Sequence, residues 1–375
     1  MAGIGIDESF FASLAQPGVR ALRAYDPGHD LVALRRRCDA LIELGSNENP
    51  YGASPAARAA ILDVMHDVHR YPDPLGGDLK HALAAKHAVG VDRILLGNGS
   101  HELLMQFAQV FAGPGNEVLA SQYGFAVYAL AAQAAGATLK CAAALPRDHG
   151  MARGHDLDAI ANALTPATRL VYLANPNNPT GTWFGLASFE SFLARVPADV
   201  LVVVDEAYVE FADAPDYASA LSLLEHHPNL VVTRTFSKAH ALAGLRVGYA
   251  VAHPGLVAVV ERVRESFNVN MVALAAAAAS LDDDAHLAMS LARNAVQRTE
   301  LADALRQRGW FVHPSQTNFL LVEFGPDTPA IEAALLARGI VVRPMAGYGL
   351  PQCLRISVGD QSENQQLIAA LDRAP

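Results

Sequence analysis

The sequence predicts an α/β protein: a large domain with a mostly parallel sheet flanked by helices, plus a smaller α+β domain. Three observations carry this expectation. Across residues 93–251, short apolar runs alternate with helical patterns. The runs are rich in Val, Leu and Ile and lack period-2 alternation, as strands covered on both faces do. After Pro254 a long helical region follows, and strand signals return only from about Trp310. With 375 residues, 51% of them hydrophobic, the chain has material for two sizeable cores.

Taken in order, the expected strands of the large sheet are Arg93–Gly97, Glu117–Ala120, Leu170–Ala174, Val200–Val204, Leu230–Thr233 and Val247–Val251. Between them fall helical stretches at Ser100–Phe111, with Leu103, Leu104 and Phe107 on one face, and at Phe125–Ala135. Such alternation favours a parallel sheet with helical crossovers. The smaller module is expected to comprise strands Trp310–His313 and Asn318–Glu323, helix Pro329–Arg338, strands Ile340–Arg343 and Cys353–Val358, and helix Glu363–Leu371. A boundary is expected near residue 265, within a long connecting helix. This gives a large domain over 45–265 and a small one from 1–44 with 266–375, the first residues packing on the C-terminal module. Asp282–Asp284 reads as a solvated helix-capping turn.

The net charge of −10 is spread along the chain with no long basic block, which argues against nucleic acid or anionic membrane as partners. Cys38, Cys141 and Cys353 are far apart and form no CxxC, so neither a disulfide framework nor a metal site is expected, and all three read as buried small hydrophobes. His66 and His69 read as solvated rather than metal-binding. The first ten residues lack a basic stretch followed by an apolar run, and Met271–Leu281 is too short to span a bilayer. A soluble cytoplasmic protein is the expectation.

Chemistry concentrates in a few segments. Lys238 lies in Thr233–Tyr249 beside Ser237, with Arg246 eight positions on. Asp205 ends the apolar run Val200–Val204, where an ionised carboxylate needs a partner. An amine, a cation with hydroxyls, and an anion at a strand end are the parts that pyridoxal 5′-phosphate (PLP) requires. The amine takes its aldehyde, the cation its phosphate, and the anion its pyridine nitrogen. The turn Leu96-Gly-Asn-Gly-Ser100 ends a strand and opens a helix, so its free N–H groups suit a phosphate; taken alone it is a generic βα turn. Asn175–Gly181 reads either as a tight turn or as a support for Asn178 to donate to the cofactor's ring oxygen, with a cis bond at Asn178–Pro179 left open. Tyr208 is a second donor to that oxygen or an ordinary half-buried tyrosine. Tyr123 is a stacking ring that sequence does not separate from Phe125.

These segments, with Asn47–Gly52, Tyr71–Asp73, Asn318–Val322 and Leu354–Gly359, resemble the histidinol-phosphate aminotransferases, fold-type I PLP enzymes, from about residue 25 to 370. The resemblance implies that Lys238 joins the cofactor as a Schiff base and that Asp205 pairs with the pyridine nitrogen. Asn178 and Tyr208 would bind the ring oxygen, and Tyr123 would stack. Gly99, Ser100, Ser237 and Arg246 would hold the phosphate, joined by Tyr71 from the partner subunit of an obligate homodimer. Tyr25, Arg343 and Arg355 would meet the substrate's anionic end, since the guanidinium fork suits phosphate and carboxylate alike. Many relatives carry an acidic residue where this chain has His101, and Pro-Thr where it has Ser121-Gln122.

The activity so implied is ping-pong transamination through Lys238, converting L-histidinol phosphate and 2-oxoglutarate to imidazole-acetol phosphate and L-glutamate. Its nearest rival is an aromatic amino acid transaminase acting on phenylalanine or tyrosine. A PLP decarboxylase or lyase, and a non-catalytic PLP-binding protein, are further rivals.

Overall fold

A computed structural model describes residues 8–20, 22, 28–36 and 40–374. Its strands in chain order are β1 (Ile42–Glu43), β2 (Ile94–Gly97), β3 (Glu117–Ser121), β4 (Thr138–Ala142), β5 (Thr168–Ala174), β6 (Leu201–Asp205), β7 (Leu230–Thr235), β8 (Gly248–Val251), β9 (Phe311–Val312), β10 (Phe319–Glu323), β11 (Ile340–Val341), β12 (Arg343–Pro344) and β13 (Cys353–Ser357). Seven of them form the large sheet, in the order β2-β8-β7-β6-β5-β3-β4. Neighbours pair in parallel from β7 across to β4, while β8 runs antiparallel between β2 and β7.

Both faces of this sheet are covered, which is why its strands read as unbroken apolar runs. Leu201 and Val203 of β6 point into one core with Leu103, Leu104 and Phe107 of the helix Ser100–Phe111. Val202 and Val204 point into the other, with Phe189 and Phe192 of the helix Leu186–Leu193. The parallel strands β5 and β6 end side by side at Ala174 and Asp205, and Thr233 of β7 lies beside Asp205. Ligands of open α/β sheets bind at such carboxyl ends.

The smaller sheet, β12-β13-β10-β9, is antiparallel. Leu301 and Leu305 of the long helix Asp284–Gln307 pack with Ile331, Leu335, Leu367 and Leu371 from two further helices to form its core. β1 pairs in parallel with β11, and Leu44 joins this core, tying the segment before residue 45 to the C-terminal module.

Several expectations need correction. No long helix crosses residue 265: the helix Pro254–Val260 stops, and Met271–Leu281 and Asp284–Gln307 follow. Met271–Leu281 buries Ala273, Ala276, Ala277 and Leu281 in the large-sheet core, so the change in packing comes after Leu281, beyond the expected boundary. Residues 340–344 form two short strands in different sheets rather than one. The edge strand β4 gave no signal because it is only half covered. Cys353 is buried, but Cys141 on that edge strand is exposed, and Cys38 lies outside the described residues. Asp283 does cap the long helix, accepting from the His286 N–H.

Candidate active site

A cavity of about 350 Å³ opens where the carboxyl ends of β5, β6 and β7 meet the smaller sheet. Its floor is Asp205, Ser237 and Lys238, and its walls include Ser100, His101, Phe125, Asn178, Tyr208 and Arg246. Ser46, Asn47, Arg343 and Arg355 close it from above.

Asp205 is 5% exposed and carries no cation. Its carboxylate accepts from Tyr128 Oη and from Thr233 Oγ1, each at 3.3 Å. Burial outweighs these neutral donors and pushes its pKa up to about 6. A cationic N–H in the cavity would complete its set of partners.

Lys238 follows β7, and its Nζ donates to the carbonyls of Ser46 and Asn47, both at 3.1 Å. Burial first, then the Arg355 and Arg246 charges, bring the amine down to about 8, close to the range where an amine can serve as nucleophile and base. Asn47 adopts φ 56°, a conformation that asparagine tolerates better than most residues. There its side chain donates to Tyr208 Oη at 2.9 Å while its N–H donates to Ser357 Oγ at 2.8 Å. Asn318 Nδ2 braces the same turn through the carbonyls of Asn47 and Glu48.

The anion cradle depends on two glycines. Gly99 takes φ +82° and precedes the helix Ser100–Phe111, whose first residues, Ser100 and His101, line the cavity. A Cβ on Gly248 of β8 would lie 2.5 Å from the Ser100 nitrogen, so only glycine lets this turn settle on the sheet. Arg246 donates to Ser237 Oγ at 3.3 Å, and Thr235 Oγ1 also donates to that hydroxyl at 3.0 Å. Burial and Arg246 keep the neighbouring His101 below its ordinary pKa, so its imidazole is neutral near pH 7.

Arg355 is 8% exposed; its Nη1 donates to Asn178 Oδ1 and its Nη2 to the Gly45 carbonyl, both at 2.7 Å. Its Nε is buried without a partner. Arg343 pairs with Arg355 in register across β12 and β13, and both line the cavity. Asn178–Pro179 is cis, as is Asn175–Pro176.

The family described as "Aminotransferase class I and II" matches residues 39–371. The chain belongs to the class I and II aminotransferases. It is 46% identical over 369 residues to histidinol-phosphate aminotransferase 2 of Pseudomonas aeruginosa, covering 97% of this chain and 98% of that one. It is also 46% identical to histidinol-phosphate aminotransferase 2 of Methylococcus capsulatus, covering 96% and 98%. Among solved structures, histidinol-phosphate aminotransferase of Sinorhizobium meliloti in complex with pyridoxal 5′-phosphate superposes with a TM-score of 0.86 at 31% identity, covering 96% and 97%.

As an aminotransferase of this class the protein works with PLP. Its residues fit that group. A buried carboxylate lacking a cation faces the place for a pyridinium, Lys238 supplies the amine for the aldehyde, and the Gly99–Ser100 turn with Ser237 and Arg246 suits a phosphate. Asn178 and Tyr208 stand on the wall between them.

The expected site residues do not all converge. Of the two rings left open at the 123–125 turn, Phe125 is on the cavity wall. Tyr123 packs beside Leu321, Met345, Leu350 and Cys353, with its hydroxyl accepting from Gln122. Tyr71 lies away from the cavity, 80% exposed, stacked on Phe267 at 4.5 Å. Tyr25 falls outside the described residues. The sequence reading assigned no part to Asn47, Tyr128, Thr233 or Asn318, although Asn47 and Asn318 lie in segments that carry the resemblance. Their roles rest on contacts between distant segments and, for Asn47, on a left-handed backbone. The only local signal was the asparagine-rich run Asn47-Glu-Asn49.

Proposed function

We propose that this aminotransferase interconverts L-histidinol phosphate and 2-oxoglutarate with imidazole-acetol phosphate and L-glutamate, in a ping-pong course. The carrying observation is the in-register pair Arg343 and Arg355 above the Lys238 amine, with one Arg355 nitrogen buried and unpartnered. A fork of this kind meets a phosphate in one half-reaction and a carboxylate in the other. The near full-length likeness to proteins named histidinol-phosphate aminotransferase supports the same reading.

When bound, PLP supplies an aldehyde for the amine and an electron-withdrawing ring. The chain's residues do the rest. Asp205 would hold the ring nitrogen's proton, while Ser100, Ser237 and Arg246 would fix the phosphate end. With PLP bound, the Lys238 amine would be placed to take and return a proton at the donor's Cα. The carbonyls of Ser46 and Asn47 hold the freed amine beside the cavity.

The proposal includes a homodimer in which Tyr71 reaches the partner's phosphate site. The exposed Tyr71–Phe267 stack, with Leu62, Met65 and Val68 also exposed, supports such an interface. No helix among the described residues is long and apolar enough to cross a membrane, and a cytoplasmic location is part of the proposal.

The test is a half-reaction screen that follows loss of the PLP absorbance with histidinol phosphate, phenylalanine, tyrosine and glutamate. Bleaching by histidinol phosphate and glutamate is expected. Bleaching by the aromatic amino acids and not by histidinol phosphate would replace the proposal with aromatic transamination.

A further inference from the structure

The two hydroxyls on Asp205 arrive by different routes. Thr233 is there by strand register, directly beside Asp205 across β6 and β7. Tyr128 reaches across from the helix Ala126–Ala134 and is 1% exposed. Its ring stacks on Tyr172 of β5 at 4.8 Å and 7°, and Phe125 meets it edge-on at 5.9 Å. That packing fixes where the hydroxyl points. Tyr172 directs its own hydroxyl elsewhere, to the Leu104 carbonyl. Of the titratable groups around Asp205, Glu206 and Tyr208 follow it just beyond β6, and Tyr172 and Tyr128 come from neighbouring elements. Among these described groups, only Tyr128 donates a side-chain hydrogen bond to Asp205.

We propose that Tyr128 is a positioning residue that keeps Asp205 an anion, so that the proton between Asp205 and the bound cofactor stays on the ring nitrogen. The inference deepens the PLP reading and rests on it. A hydrogen bond to the charged form stabilises that form. Without the donor, Asp205 becomes the stronger base and draws the proton off the ring, which then withdraws electrons less strongly. Tyr128 suits this task because burial, with the Asp205 charge, pushes its pKa well above the usual value and keeps it a donor.

Tyr128→Phe deletes the hydroxyl and keeps the stacked ring. The test uses holoenzyme loaded with PLP labelled with ¹⁵N at the ring, followed by NMR from pH 6 to 9. Wild type is expected to hold a protonated ring nitrogen, and Tyr128→Phe to lose that proton at a pH lower by about one unit. Its kcat should fall roughly tenfold while KM stays within about twofold, which one pK unit of lost charge stabilisation implies. Thr233→Val, which removes the other donor, should move the signal the same way. Tyr172→Phe, which alters the same stack without touching Asp205, should leave it in place.

An unmoved ring signal in Tyr128→Phe would overturn the inference and leave the cofactor assignment standing. So would an equal shift in Tyr172→Phe, which would assign the effect to the stack. A wild-type holoenzyme showing no protein-bound ring signal would overturn both.

Discussion

The floor and the roof of the cavity are built on opposite plans. The floor is Asp205, Ser237 and Lys238, set by adjacent ends of β6 and β7 and the turn that follows. The roof joins Gly45 to Arg355, 310 positions away, through a backbone carbonyl. On the floor, Asp205 and Ser237 engage side chains of neighbouring strands and helices, while Lys238 reaches the carbonyls of Ser46 and Asn47, and among the described residues neither the carboxylate nor the amine has an oppositely charged hydrogen-bond partner. In the roof, one guanidinium nitrogen of Arg355 is buried without a partner. On the proposed reading, parallel strand ends seat the cofactor, while a separate sheet brings the arginines to the substrate. Bond chemistry and substrate choice would then sit on different structural elements, so substitutions in each should fail differently.

The sharpest contrast comes from Lys238→Ala, which should lower turnover by about 10⁴-fold or more, because it removes both nucleophile and proton carrier. Steady-state assay with a coupled glutamate readout checks this; wild-type turnover would end the account of the floor. Asp205→Asn should cost roughly 10²–10³ in kcat with little change in KM. Arg355→Lys, in the roof, should behave the other way. A single ammonium cannot reach both Asn178 and Gly45 and still engage an anion, so kcat/KM should drop about 10- to 100-fold, mainly through KM. If Asp205→Asn raised KM and Arg355→Lys lowered only kcat, the division of labour proposed here would be wrong.

Two smaller effects sharpen the same comparison. In folded apoprotein the Asp205 carboxyl titrates at about 6, against an ordinary 3.8. Between those values the folded state holds the extra proton, so stability falls as pH rises from about 4 to 6. Asp205→Asn should therefore stabilise apoprotein by about 3 kcal/mol at pH 7 and not at all below pH 4, as thermal or urea unfolding would show. The floor is thus poised for its ligand at a cost in stability. The Lys238 amine of apoprotein, brought down to about 8, should become an unprotonated nucleophile as pH rises from 7 to 9. The rate at which apoprotein captures the PLP aldehyde, followed by absorbance, should climb through about pH 8 and then level, and a rate flat across that range would count against the lowered amine.

The floor was largely legible in the sequence. An acid closing a buried apolar run, and a lysine with serine and arginine at fixed spacing, are local patterns whose meaning depends on nothing distant. The large sheet was legible for the same reason, except at β4, where half-exposure erased the apolar run. The roof was legible only through resemblance, since nothing local to Arg343 or Arg355 announces that β12 and β13 bring them into register. Asn47 escaped notice because its part is played by a backbone carbonyl, a left-handed turn and a partner in another module. Tyr128 escaped because a tyrosine in an alanine-rich helix looks like core until the carboxylate beside it is seen.

The central claim is that one amine, Lys238, on the floor opposite Asp205, holds the cofactor covalently. Borohydride reduction of PLP-loaded protein, followed by peptide mass spectrometry, tests it most directly. The account predicts a single reduced adduct within residues 234–246, on Lys238, and none in Lys238→Ala. A protein that stays colourless with PLP, or an adduct confined to another lysine, would contradict it.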